Sequence, residues 1–179
     1  MSFSISLNIK DLGLDDLSIE AMAAARPAAQ AGAQVLYDQV KANVARLRKV
    51  TGNLDRSIYQ KHIDEEARPG YAAYRISWNK SKAPHGHLVE FGHLQRYEIA
   101  RDSRGRMFPM VRPERIGDPK PKRSAPQSVK DAYYVPRAGG PLQIPAKAFI
   151  RSAASKMPQA RQAMADRFFA ELKAKGLIK

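Results

Sequence analysis

The feature that most limits how this chain can fold is an apolar stripe in its first third. Ala29, Ala33, Leu36, Val40, Val44 and Leu47 recur at steps of four, three, four, four and three, which keeps them on one side of an α-helix. The spacing predicts a helix over 17–49. Lys41, Arg46, Arg48 and Lys49 fall on or near the other side and the C-terminal end, where cations suit the helix dipole. Pro27 removes a backbone donor, so it is expected to kink this helix or divide it in two. Gly52 is a natural stop.

A sheet is expected on either side of that helix. Phe3, Ile5, Leu7 and Ile9 alternate with Ser2, Ser4, Ser6, Asn8 and Lys10, a period-two pattern that predicts a half-buried strand. Residues 1–14 are thus a sheet strand or a docking arm, with a turn and helix cap at Gly13 and Asp15-Asp16. Ala72, Tyr74, Ile76 and Trp78 alternate with Ala73, Arg75 and Ser77 to give the clearest strand. Leu54–Ile63 is expected to pair with it as an antiparallel hairpin, through a turn at Pro69-Gly70. Near the C-terminus, Phe149, Ala153 and Met157 step by four, as do Met164, Phe168 and Leu172. Pro145 suits a first helical turn, Pro158 breaks the run or starts a second helix, and Gly176 stops it.

Residues 94–142 differ in kind. They hold seven of the 12 prolines, with 11 basic and five acidic residues. No periodicity is present, so they read as a long basic, proline-rich loop inserted into a single domain spanning 1–179. Tyr97, Phe108, Tyr133 and Tyr134 need partners, which a neighbouring subunit would supply.

Composition narrows the class. A chain of 179 residues fits one domain and buries about 70% of its unfolded surface. The absence of cysteine removes disulfide and thiolate-metal frameworks. The first nine residues lack the organisation of a secretory signal, and the stretch Ala21–Ala33 is broken by Arg26, Pro27 and Gln30, so no membrane span is expected. The formal charge of +14 favours a polyanion or an acidic protein as partner. Arg101, Arg104, Arg106, Arg112, Arg115, Lys120, Lys122 and Arg123 are the candidate contacts, and loose binding to DNA is the most that they support without a recognition motif.

Enzyme templates fail: no phosphate-cradling loop, dinucleotide fingerprint or nucleophile elbow is present. The sharpest alternative is a divalent-metal site, and with it a metal-dependent hydrolase, at His85, His87, Glu90 and His93. Pro84 and Gly86 place a turn there, so these side chains need not converge, and a structural role is preferred. In that role Phe91 anchors the segment in the core, Gly92 turns the backbone, and Glu90 pairs with Arg56 or Arg151.

Three short motifs carry a resemblance. They are Thr51, Gly52, Leu54, Ser57 and Ile58; then Val89, Glu90, Phe91 and Gly92; then Pro145, Ala146, Phe149 and Ile150. Their order, between two helical patterns, resembles the neck or tail-completion proteins of long-tailed bacteriophages, the tail-component family of lambdoid siphophages. The likeness covers 17–93 and 143–175. It implies an α+β fold in which a long N-terminal helix and a C-terminal helix pack on a small antiparallel sheet, with no cofactor and no catalytic residue. It also implies a virion protein, made in the host cytoplasm, that forms a homo-oligomeric, hexameric ring at the head–tail junction around the DNA channel. Head-connector and tail proteins would be its partners, with non-specific contact to genomic DNA. A tail terminator, a head-closure protein and a DNA-binding accessory protein are the alternatives.

Overall fold

The computed structural model describes residues 2–9, 19–47 and 52–179. Expectations placed on Lys10, Gly13, Asp15, Asp16, Leu17, Arg48, Lys49 and Thr51 lie outside these residues. In chain order the elements are β1 (Phe3–Asn8), α1 (Ile19–Met22), α2 (Ala25–Ala45), α3 (Asn53–Ser57), β2 (Ile58–His62), β3 (Tyr71–Trp78) and α4 (Gly86–Phe91). They continue with β4 (His93–Gln95), β5 (Ile99–Arg101), β6 (Met107–Pro109), α5 (Gln127–Tyr133), β7 (Leu142–Ile144) and α6 (Met157–Ala174). The mixture of helices with small antiparallel sheets is α+β.

The chain divides into two compact units. One comprises Met1–Glu90 with Ala148–Lys179, the other Phe91–Lys147. In the first, β1, β3 and β2 form an antiparallel sheet in that order. β1 is therefore a strand of the sheet: Ile5 sits opposite Tyr74 and Leu7 opposite Ala72. The hairpin of β2 and β3 is as expected, with Ile58 opposite Trp78 and His62 opposite Tyr74. The strand expected over Leu54–Ile63 is corrected at its start, because residues 53–57 are helical. There the four-residue step from Leu54 to Ile58 brings both side chains into the core, a spacing that helix and strand both satisfy, so the alternation alone does not separate them.

Helix α2 carries the predicted stripe. Ala29, Ala33, Leu36, Val40 and Val44 are buried and Leu47 packs against the same cluster. Burying a Leu or Val side chain contributes about 1.5–3 kcal/mol, which is why this helix packs against both the sheet and α6. Pro27 lies in the first turn of α2, where a missing N–H costs nothing. The helical pattern is indeed divided, by a turn at 23–24. From α6, Ala160, Met164, Phe168 and Leu172 face the core. Pro158 sits in the first turn of α6. Pro145 does not open a helix: residues 145–148 are irregular, and a 3-10 helix over Arg151–Lys156 leads into α6.

Candidate functional site

The first motif builds a corner between a helix and a strand. Gly52 has φ of 70°, the left-handed region that glycine enters without penalty, and it leads into α3. Leu54 and Ile58 then enter the core, while the buried Ser57 Oγ donates to Leu54 O at 2.7 Å. Lys41 Nζ of α2 lies 2.6 Å from Asp55 Oδ1 and 2.8 Å from Asp55 O. The corner is thereby tied to the long helix.

Glu90 is the centre of the second and third motifs. Its side chain is fully buried, an arrangement that proteins tolerate only when the carboxylate is hydrogen-bonded or paired. Ile150 N donates to Oε2 at 2.9 Å, and Arg151 N and Nε both donate to Oε1 at 3.1 Å. The Glu90 carbonyl oxygen accepts from Ala148 N at 3.2 Å and from Arg151 Nη2 at 2.9 Å. Of the two expected partners, the structure selects Arg151; Arg56 instead donates to Asn53 Oδ1 at 2.7 Å. Beside this clamp Phe149 and Ile150 are buried, and Phe149 meets Trp78 edge to face at 5.7 Å. Asn43 Nδ2 of α2 donates to Phe149 O and Ser152 Oγ, each at 2.9 Å. Gly86 completes the packing, since a Cβ there would lie 2.7 Å from Trp78 Cε2. One carboxylate thus holds the chain where it enters the last helical region.

The histidines do not share this centre. His87 Nδ1 contacts Pro84 O at 2.8 Å, within the turn that starts α4. Burial, with the neighbouring His87 second, holds His85 below the ordinary imidazole pKa. Among the described residues no three His, Asp or Glu side chains gather as a metal site. The expectation that Phe91 anchors the core is corrected: its side chain is 45% exposed.

Residues 91–147 carry more order than a loop without periodicity suggests. β4 pairs with β7, and β5 with β6. At the start of this unit Gly92 has φ of 73°, and a Cβ there would lie 2.5 Å from Ile144 O and 2.8 Å from Ala146 N. Gly92→Ala should therefore cost on the order of 2 kcal/mol from the left-handed backbone alone, with the carbonyl clash in addition. Limited proteolysis checks this: cleavage within 91–147 should rise sharply while the helical circular dichroism persists.

The tyrosines find partners inside this unit, in place of the neighbouring subunit expected from sequence. Tyr134 is buried, with Tyr97 and Tyr133 ring centroids at 5.0 and 4.9 Å. Tyr97 Oη donates to Asp131 Oδ1 at 2.8 Å, and that bond holds the Asp131 carboxyl below its usual pKa. Phe108 stays 41% exposed. Several candidate cations are already engaged: Arg106 with Asp102, Arg115 with Asp118, and Arg112 with Glu114 and with the carbonyls of Asp131 and Tyr134. Arg101, Arg104, Lys120, Lys122 and Arg123 are exposed. Sequence reasoning had no means of separating these two groups, because the pairs depend on short turns that it read as loop.

These features define an α+β protein whose motif residues serve as internal ties: a helix–strand corner, a buried carboxylate clamp and a glycine-dependent turn. Residues 12–92 match the model of the HK97-gp10-like family, described as bacteriophage HK97-gp10, putative tail-component. The resemblance to a phage tail or neck family is thereby shown over that span, which takes in the first two motifs, and it supports a structural protein of a tailed phage. No curated relative and no solved structure matches the chain. No helix among the described residues is long and apolar enough to cross a membrane.

Proposed function

We propose that this protein is a virion component that closes into a homo-oligomeric, hexameric ring at the head–tail junction and joins tail to head around the DNA channel. The observation that carries this reading is the tail-component match over 12–92. The work is mechanical, with no bond made or broken and no cofactor. In the first unit the long helix α2 packs on the sheet and α6 packs on α2, and identical blocks of this kind close a ring through heterologous contacts about a rotation axis. Exposed apolar side chains suit such contacts: Met107, Phe108 and Ile116 in one unit, and Phe169 on α6 in the other. Residues 94–142 also offer cations to acidic connector or tail proteins and to passing DNA. Synthesis in the host cytoplasm followed by incorporation into the virion accords with this role.

Electron microscopy of the purified full chain tests the ring, with closed six-fold particles as the expected result. A protein that stays solitary at high concentration and within the finished virion overturns it. Deletion of 100–135 should leave α2 and α6 folded by circular dichroism, yet reduce ring formation and virion yield at least tenfold. A tail terminator or head-closure protein would also form a ring, and labelling its position in the virion separates these roles.

A further inference from the structure

The outer face of the three-stranded sheet, opposite the core, carries an arrangement that the ties described above do not use. Arg75 at the centre of β3 stands directly across from Lys61 of β2 and from Ser4 of β1. One pair further along, Tyr59 faces Ser77. Like charges directly opposite each other in an antiparallel pair are destabilising, so Lys61 and Arg75 weaken the sheet that holds them. The Arg75 side chain makes no hydrogen bond or ion pair with any described residue, and neither does the Lys80 side chain, just beyond β3. Asp64, the acidic group next to this face, is bound to His62 Nδ1 at 2.7 Å. A cavity of about 510 Å³ opens here, lined by Ser2, Tyr59, Arg75, Ser77 and Lys80 with Trp78 and Asn79, and no carboxylate contributes to it among the described residues.

We propose that this face binds the phosphodiester backbone of a nucleic acid. Arg75 and Lys80, whose side chains have no partner among the described residues, lie beside hydroxyl groups and supply what phosphate oxygens accept, and an anion laid across Lys61 and Arg75 converts their repulsion into attraction. An acidic protein is the weaker fit. Protein–protein interfaces have cores depleted of charge and enriched in apolar and aromatic side chains; among the described lining residues Tyr59 is the exposed ring, beside cations and serines, while Trp78 is buried. Protein–DNA interfaces are more polar and more strongly positive. The assignment is independent of the ring. A ring that ignores DNA defeats it and leaves the proposed virion role intact, whereas a DNA-binding monomer satisfies it and defeats the ring.

The test is a salt titration of binding between the full chain and a labelled 20-base-pair duplex. Each neutralised phosphate adds about 0.9 to the slope of log affinity against log salt. The triple variant Lys61→Ser, Arg75→Ser, Lys80→Ser should therefore lower that slope by roughly 2–3, with a melting temperature no lower than the parent's. Lys80→Ser alone lies outside the strand ladder and should lower it by about 1, which keeps the test usable if the triple variant folds poorly. The control Arg161→Ser, Lys173→Ser, at exposed positions of α6, should keep the parental slope. No duplex binding by the parent, loss of slope in the control with the sheet variants unchanged, or displacement of the duplex by polyglutamate as readily as by unlabelled duplex would each overturn the proposal. The last result would assign the face to an acidic protein.

Discussion

Glu90→Ala is expected to destabilise the first unit by about 2–4 kcal/mol, because it strands buried donors and not because it breaks a surface ion pair. Arg151 keeps 43% of its side chain exposed, so water can solvate its guanidinium once the partner is gone. Ile150 N has no such recourse: Ile150 is fully buried, and its N–H points at Glu90 Oε2. The magnitudes separate the two effects. Arg151→Ala leaves both backbone donors bonded but takes the cation from a buried carboxylate, and should cost about 1–2 kcal/mol, less than Glu90→Ala. Glu90→Gln keeps one acceptor oxygen and falls between them. At roughly 2–4 °C per kcal/mol for a chain of this size, Glu90→Ala lowers the melting temperature by about 5–15 °C. Equal losses in the Glu90 and Arg151 variants would show that the ion pair, and not backbone capture, dominates.

Gly32→Val should cost on the order of 3 kcal/mol, although removing glycine from a helix interior ordinarily stabilises it by up to about 1 kcal/mol. Gly32 lies on the buried side of α2, and a Cβ there would sit 2.7 Å from Met164 Sδ and 2.9 Å from Ala160 O. Methionine can swing aside. The Ala160 carbonyl belongs to the backbone of α6 and moves only if the helix does. Even Gly32→Ala is expected to lower the melting temperature, with the sign reversed from the intrinsic helix preference. Thermal unfolding of both variants checks this, and an unchanged or raised melting temperature in Gly32→Val would mean that α2 and α6 do not meet at this point.

These two positions show how legibility varied along the chain. The α2 stripe, the alternation in β3 and the repeat at Met164, Phe168 and Leu172 were read directly, since each pattern repeats with its element's own period. Glu90 was singled out with two candidate partners, and distance along the chain gave no means of choosing between Arg56 and Arg151. Phe91 misled the reading because an aromatic side chain beside a buried residue looks like an anchor, yet Glu90 turns inward and Phe91 remains 45% exposed. Gly32 attracted no attention at all. A glycine inside a good helical pattern reads only as a small local cost until the helix crossing it is known.

The sequence by itself determined the helices α2 and α6, the strands β1 and β3, the buried stripe of α2 and, through two of its three motifs, the family that residues 12–92 match. Periodicity and turn chemistry are local, so a few residues suffice to express them. Only the tertiary structure decided that residues 53–57 coil before β2 begins, that Glu90 caps the chain 60 residues later, and that the exposed Arg75 and Lys61 stand side by side on the sheet. Those are contacts between positions remote in sequence. Their energies depend on burial and on the distance between groups, and both quantities exist only once the chain has folded.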